Sequence, residues 1–146
     1  IFKTFLFSFS NIYLSYFIVI PLSNNKCNII EFENKKLSLF NDHWNPRIVG
    51  ELNGQHVKLA KFQGEFIWHK HDNEDELFLV LEGKFTMEFR DKKIELNKGD
   101  FLIVPKGVEH KPVAENEVSV MLFEPVSTLN TGDTESDLTQ DKLEWI

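Results

Sequence analysis

A chain of 146 residues, 42% hydrophobic and 27% charged, has the length and composition of one folded domain with its own core. Its net charge of −7 excludes the basic stripe that nucleic acid requires and disfavours an anionic membrane surface. The single cysteine, Cys27, excludes an internal disulfide framework and gives no reason for an oxidising compartment, so the expected location is the cytoplasm.

The first 22 residues, IFKTFLFSFSNIYLSYFIVIPL, are apolar, with Lys3 as their one charge. A secretory signal would carry a small-residue cleavage site, and none follows. A membrane anchor needs about 20 apolar residues; this run has the length, although Ser8, Ser10, Asn11 and Ser15 interrupt it. A third reading takes the stretch as non-native. The chain opens on Ile rather than Met, and its Phe, Ile, Tyr, Asn, Ser and Lys are what AT-rich DNA encodes when read upstream of a start. Residues 1–30 are therefore expected to be a doubtful apolar leader outside the fold, and only this run suggests anchoring or secretion.

Residues 36–126 are expected to form the folded domain, and they read as β-structure. A short helix fits Leu37–Phe40. Val57, Leu59 and Lys61 alternate with Lys58, Ala60 and Phe62 as a strand of imperfect period. Leu77–Leu81, LFLVL, is a continuous apolar run that reads as a strand buried on both faces. Phe85, Met87 and Phe89 alternate with Thr86, Glu88 and Arg90 as a half-buried strand. Apolar runs at 101–104 and 118–123 add two more. Turn signals separate them at Asn53-Gly54, Gln63-Gly64, Glu82-Gly83, Asp91-Lys92, Asn97–Asp100 and Pro105–Gly107. Short strands at this spacing predict an all-β sandwich or barrel. Residues 127–146 are expected to form a polar C-terminal tail on the surface.

The chemistry lies in Trp68–Glu76, WHKHDNEDE. Side chains at i and i+2 of a strand share a face, so His69 and His71 project together and Trp68 points the opposite way, into the core or a dimer contact. Glu76 opens the LFLVL strand, which an antiparallel return sets beside the histidines, and His110 offers a fourth ligand. Imidazole and carboxylate together suit Fe, Mn, Co, Ni or Zn. A His-x-His pair alone commonly binds nothing, and the acidic run alone reads as a solvated turn in which Glu74 and Asp75 rival Glu76. Phe78 and Val80 share the face of Glu76 and are expected to line the cavity. His43 and His56 read as surface or structural residues.

Taken together, Gly64…His69-Lys70-His71…Glu76…Gly83 resembles the first motif of the cupin superfamily, with the leading glycine displaced by one position. Gly99-Asp100…Pro105-Lys106-Gly107…His110 resembles the second at every spacing, with Ala114 where an Asn often ends it. Gly83 and Gly99 fall at corners where φ > 0 is expected. The resemblance implies a small single-domain cupin, an RmlC-like double-stranded β-helix of the jelly-roll type, in which His69, His71, Glu76 and His110 hold a divalent metal ion. Small cupins of this kind are often called mannose-6-phosphate isomerase-like, but a phosphosugar would call for Arg or Lys at the pocket mouth, where the motifs offer only Lys70, Lys106 and Lys111. The implied function is a metal-dependent enzyme acting on a small-molecule substrate, by dioxygenase-type oxidation or isomerisation. The alternative is a non-catalytic module that binds a small ligand or metal. Such cupins commonly pair through their sheets, so a homodimer is implied. Leu39, Phe40, Trp44 and Ile48, together with Trp68 and the apolar end Leu143–Ile146, would offer it surface.

Overall fold

The computed structural model describes residues 35–146; the leader at 1–30, with Cys27, lies outside the described residues. Eight strands follow a 3-10 helix at Leu37–Leu39: β1 (Arg47–Leu52), β2 (Gln55–Glu65), β3 (Glu76–Glu82), β4 (Lys84–Phe89), β5 (Lys93–Asn97), β6 (Phe101–Val104), β7 (His110–Pro125) and β8 (Glu144–Trp145). The result is a jelly-roll β fold. Among the described residues no helix is long and apolar enough to cross a membrane.

β7 organises the molecule. Along one edge it pairs antiparallel with β2 from Gln55↔Pro125 to Glu65↔Val113. Along the other it pairs first with β4, from Phe89↔His110 to Thr86↔Val113, and then with β3, from Glu82↔Ser119 to Leu77↔Phe123. Glu115, Asn116 and Glu117 are exposed between these two pairings. Their polarity hides the first half of β7 from a reading that looks for apolar runs. β1 and β5 escape such a reading as well, because each is short and carries charged residues.

The expected turns join successive strands, with one correction. Gln63-Gly64 does not turn the chain; it lies inside β2, where a register shift between Phe62 and Gly64 marks a bulge. Gly83, at the β3–β4 corner, has φ 81°, and a Cβ there would stand 3.0 Å from the Glu117 carbonyl oxygen and 3.3 Å from the Val118 Cα. Only glycine fits both the conformation and the space.

β3 also departs from expectation. Its burial alternates: Glu76, Phe78 and Val80 are buried, while Leu77, Leu79 and Leu81 are only half-buried. An apolar run thus hides a strand with one interior face and one outward apolar face. The interior face joins Phe62, Phe85, Met87, Leu96, Val104, Val118, Val120 and Leu122 in the barrel core. A second cluster holds Leu37, Phe40, Val49 and Leu59. Phe40, Trp44 and Ile48 are therefore covered by their own chain, and of the surface expected to await a partner Leu39 and Trp145 stay exposed. The chain's end pairs β8 parallel to β1, and Ile146 packs on the second cluster.

Candidate metal centre

His69 and His110 face each other across an isolated antiparallel bridge. His69 N donates to the His110 carbonyl at 3.1 Å, and His110 N returns the bond at 2.9 Å. Strand alternation then turns His71 to the same side as His69, and Gly107 N anchors it by donating to the His71 carbonyl at 2.7 Å. Glu76, at the head of β3, points inward with Phe78 and Val80. The four side chains are buried, and one potential ligand atom from each lies within 4.8 Å of the others.

Hydrogen bonds orient the rings. His69 Nδ1 lies 3.1 Å from the Ile67 carbonyl and His110 Nδ1 3.0 Å from the Val108 carbonyl. These contacts hold Nδ1 of each ring at a carbonyl and leave Nε2 facing the centre, the usual way a metal-binding imidazole is oriented. His71 Nε2 and His110 Nε2 stand 3.3 and 3.4 Å from Glu76 Oε2. That is close enough for charge attraction, yet His71 Nε2, His110 Nε2 and Glu76 Oε2 are all buried without a hydrogen-bond partner. Leaving such groups unsatisfied costs about 1–3 kcal/mol each. A cation among them satisfies all three at once, so the donor set fits a metal ion.

The shifts of His69 and Glu76 agree with that fit, whereas that of His71 favours the protonated ring. Burial, with His110 beside it, lowers His69 to about 4, so the ring is neutral, the form that ligates. Burial works against the charge of Glu76, but His110 and His71 outweigh it and hold the carboxyl well below its usual range. Burial likewise works against charge on His71, and Glu76 outweighs it and raises the imidazole.

The rival carboxylates are engaged elsewhere. Asp75 accepts from the Lys106 backbone at 2.9 Å and so fixes the turn that leads to His110; Glu74 accepts from Ser127 Oγ at 3.3 Å. His43 pairs with Glu117 at 2.9 Å, and His56 meets the ring of Trp145. Trp68 does point away from the histidines and is half-buried rather than in the core, with the Arg90 guanidinium over its ring at 3.8 Å. Phe78 lines the cavity beside the centre, together with Trp44, Phe62, Phe66, Leu122 and Glu124. Val80 is buried deeper, in the core cluster, and is not among the cavity's lining residues.

Two groups of residues near the centre were not anticipated. Lys58 and Glu124 form an ion pair of 2.7 Å inside the barrel, each side chain 1% exposed. Burial and the Glu76 charge raise the Glu124 carboxyl to about 8, against the pull of Lys58. A divalent ion on Glu76 would remove that repulsion and leave Lys58 to hold Glu124 ionised. A signal for this pair was present, since Lys58 shares the strand phase of Ala60 and Phe62, and Glu124 that of Val120 and Leu122. The C-terminal segment is the second: it straps the His-x-His strand. Asp133 N donates to the Lys70 carbonyl at 3.1 Å and its carboxylate accepts from Lys70 N at 3.3 Å. Thr131 is fully buried.

Residues 55–125 match the cupin domain family. The chain is similar to a cupin-2 domain protein of Shewanella frigidimarina, with 49% identity and a TM-score of 0.65 over 66% of this chain and 94% of that structure. It is also similar to protein NMB1881 of Neisseria meningitidis, with 29% identity and a TM-score of 0.62 over 67% of this chain and 99% of that one. Among curated proteins it is 45% identical over 64 residues to the uncharacterized protein YdbB of Bacillus subtilis, a match covering 43% of this chain and 57% of the relative. The matched part thus spans less than two thirds of that relative's length.

Proposed function

The chain belongs to the cupin superfamily, and from that footing we propose that it is a metal-dependent enzyme acting on a small-molecule substrate, with one divalent ion (Fe, Mn, Co, Ni or Zn) held by His69, His71, Glu76 and His110. The observation behind this reading is the meeting of three buried, unpartnered ligand atoms, on His71, Glu76 and His110, at a point that His69 also faces. An octahedral ion with four protein ligands keeps two positions open, where it can act as a Lewis acid or a redox centre. Dioxygenase-type oxidation and isomerisation are the reaction classes this arrangement serves. Phe62, Phe66, Phe78 and Leu122 keep the approach apolar, which strengthens charge interactions at the ion and excludes water.

Purified protein should carry about one divalent metal per chain, because a buried four-ligand site binds tightly enough to survive purification. The His69→Ala/His110→Ala variant should carry none and should melt at a lower temperature, since metal bound only by the folded state stabilises it by mass action. Elemental analysis that finds full metal in the double variant would refute the ligand set. The same measurement names the ion: iron favours oxygen chemistry, and zinc favours isomerisation.

A further inference from the structure

We propose that Glu124 is a ligand-binding group of the cavity beside this centre, and that the cavity takes a small neutral molecule that coordinates the ion through one atom and donates an O–H or N–H to Glu124 Oε2. The proposal rests on the metal-binding reading above. Glu124 lines the same cavity as His69 and Glu76 and is 1% exposed. Its Oε1 accepts from Lys58 Nζ at 2.7 Å, which pins the carboxylate, while Oε2 is buried with no hydrogen-bond partner. A pinned, desolvated acceptor in the lining of a largely apolar cavity is a preorganised site for a donor.

The other polar groups of the lining are already engaged. Trp44 Nε1 donates to the Gln63 carbonyl at 2.9 Å. Asn130 Nδ2 donates to the Leu138 carbonyl at 2.8 Å, and its Oδ1 accepts from Gln140 N at 2.9 Å. Apart from the candidate metal ligands, Glu124 Oε2 is the acceptor left for a ligand among the described lining residues.

The same inventory sets the ligand's charge. No Arg or Lys is among the described lining residues. Lys58 is engaged with Glu124 and lies 3.5 Å from the Thr128 carbonyl. Lys70 pairs with Asp72, and Lys111 with Glu65. A phosphate or second carboxylate would therefore bring a negative charge beside Glu124 with no side-chain cation to receive it. Trp44 stacks on Phe62 with centroids 4.5 Å apart, and this aromatic wall suits an uncharged, largely apolar body.

Cobalt-loaded protein tests this in mildly alkaline buffer, with the visible cobalt spectrum reporting occupancy during titration with imidazole, 1-methylimidazole and azide. Imidazole coordinates through one nitrogen and donates from the other; the methylated ring coordinates without donating; azide is an anion without a donor. The wild type should bind imidazole about tenfold more tightly than 1-methylimidazole, the factor expected of one hydrogen bond to a charged acceptor. Glu124→Gln turns an N–H toward the cavity, so it should bring that ratio close to unity and tighten azide. Should this variant fold poorly around an unpaired Lys58, the Lys58→Met/Glu124→Leu chain removes both charges and makes the same comparison. Comparing ratios between chains cancels the steric effect of the methyl group. An unchanged ratio in cobalt-loaded variants overturns the role of Glu124 alone. A wild type that takes up no cobalt overturns the metal reading and this proposal together.

Discussion

The Lys58–Glu124 pair is costly to bury in the barrel interior. Two charges 1% exposed have lost their hydration, and their attraction offsets that loss only while both are present. Lys58→Met should therefore lower unfolding free energy by about 3 kcal/mol or more, and Lys58→Met/Glu124→Leu should recover most of it. Denaturant melts of the two chains check this; equal losses would show that the pair is not a coupled unit. The single variant should also show a stronger pH dependence than the wild type. Without Lys58, burial raises the Glu124 carboxyl further above its unfolded value, so the unfolded chain ionises first. Stability is then retained below the ordinary carboxylate range and lost as pH rises toward the raised value.

Among the elements, the C-terminal strap links stability to the site. Gly132 sits at φ 54°, and a Cβ there would lie 2.1 Å from the Lys70 carbonyl oxygen and 3.3 Å from His71 Nδ1. The segment therefore packs backbone against the strand that carries two candidate ligands. Gly132→Ala must both strain its own backbone and push that strand away, at a cost of roughly 1–3 kcal/mol. Thermal melts with metal and with a chelator should show a lower melting temperature in both and a smaller gain from metal than in the wild type. A variant that melts like the wild type in both would mean that the strap does not support His71.

For the whole molecule, the telling feature is the outward face of β3, β6 and β7. Register places Leu77 beside Ile103 and Leu79 beside Phe101, and on the other side beside Phe123 and Met121. Phe101 is 64% exposed and Ile103 51%, while Leu77, Leu79, Met121 and Phe123 are half-buried. Leaving such a face in water forgoes about 25 cal/mol for each Å² it could bury, and a contiguous apolar face marks a site of association. A second copy of the chain is the expected cover, because a twofold axis makes one apolar face complementary to itself. Light scattering at micromolar concentration should report a mass near twice the chain's 17.1 kDa. A mass of one chain, unchanged on concentration, would rule the dimer out. Its basis differs from the sequence argument, since Phe40, Trp44 and Ile48 are already buried at home.

The sequence by itself determined the all-β class, most of the turns and the shared face of His69 and His71, because strand alternation and glycine or proline punctuation are local rules carried by neighbouring residues; the resemblance to the cupin motifs singled out Glu76 and His110. His69 and His71 share a face whatever surrounds them, and Gly83 supplies the positive φ that the corner after β3 needs. What joins distant segments was decided only by tertiary structure. The pairing of His69 with His110, the placing of Glu76 beside both histidines, the union of Lys58 with Glu124 and the docking of Gly132 on Lys70 all depend on register between segments far apart in the chain. A charged residue in an apolar strand phase signals that it needs a partner, but the partner is named only when β2 and β7 come together.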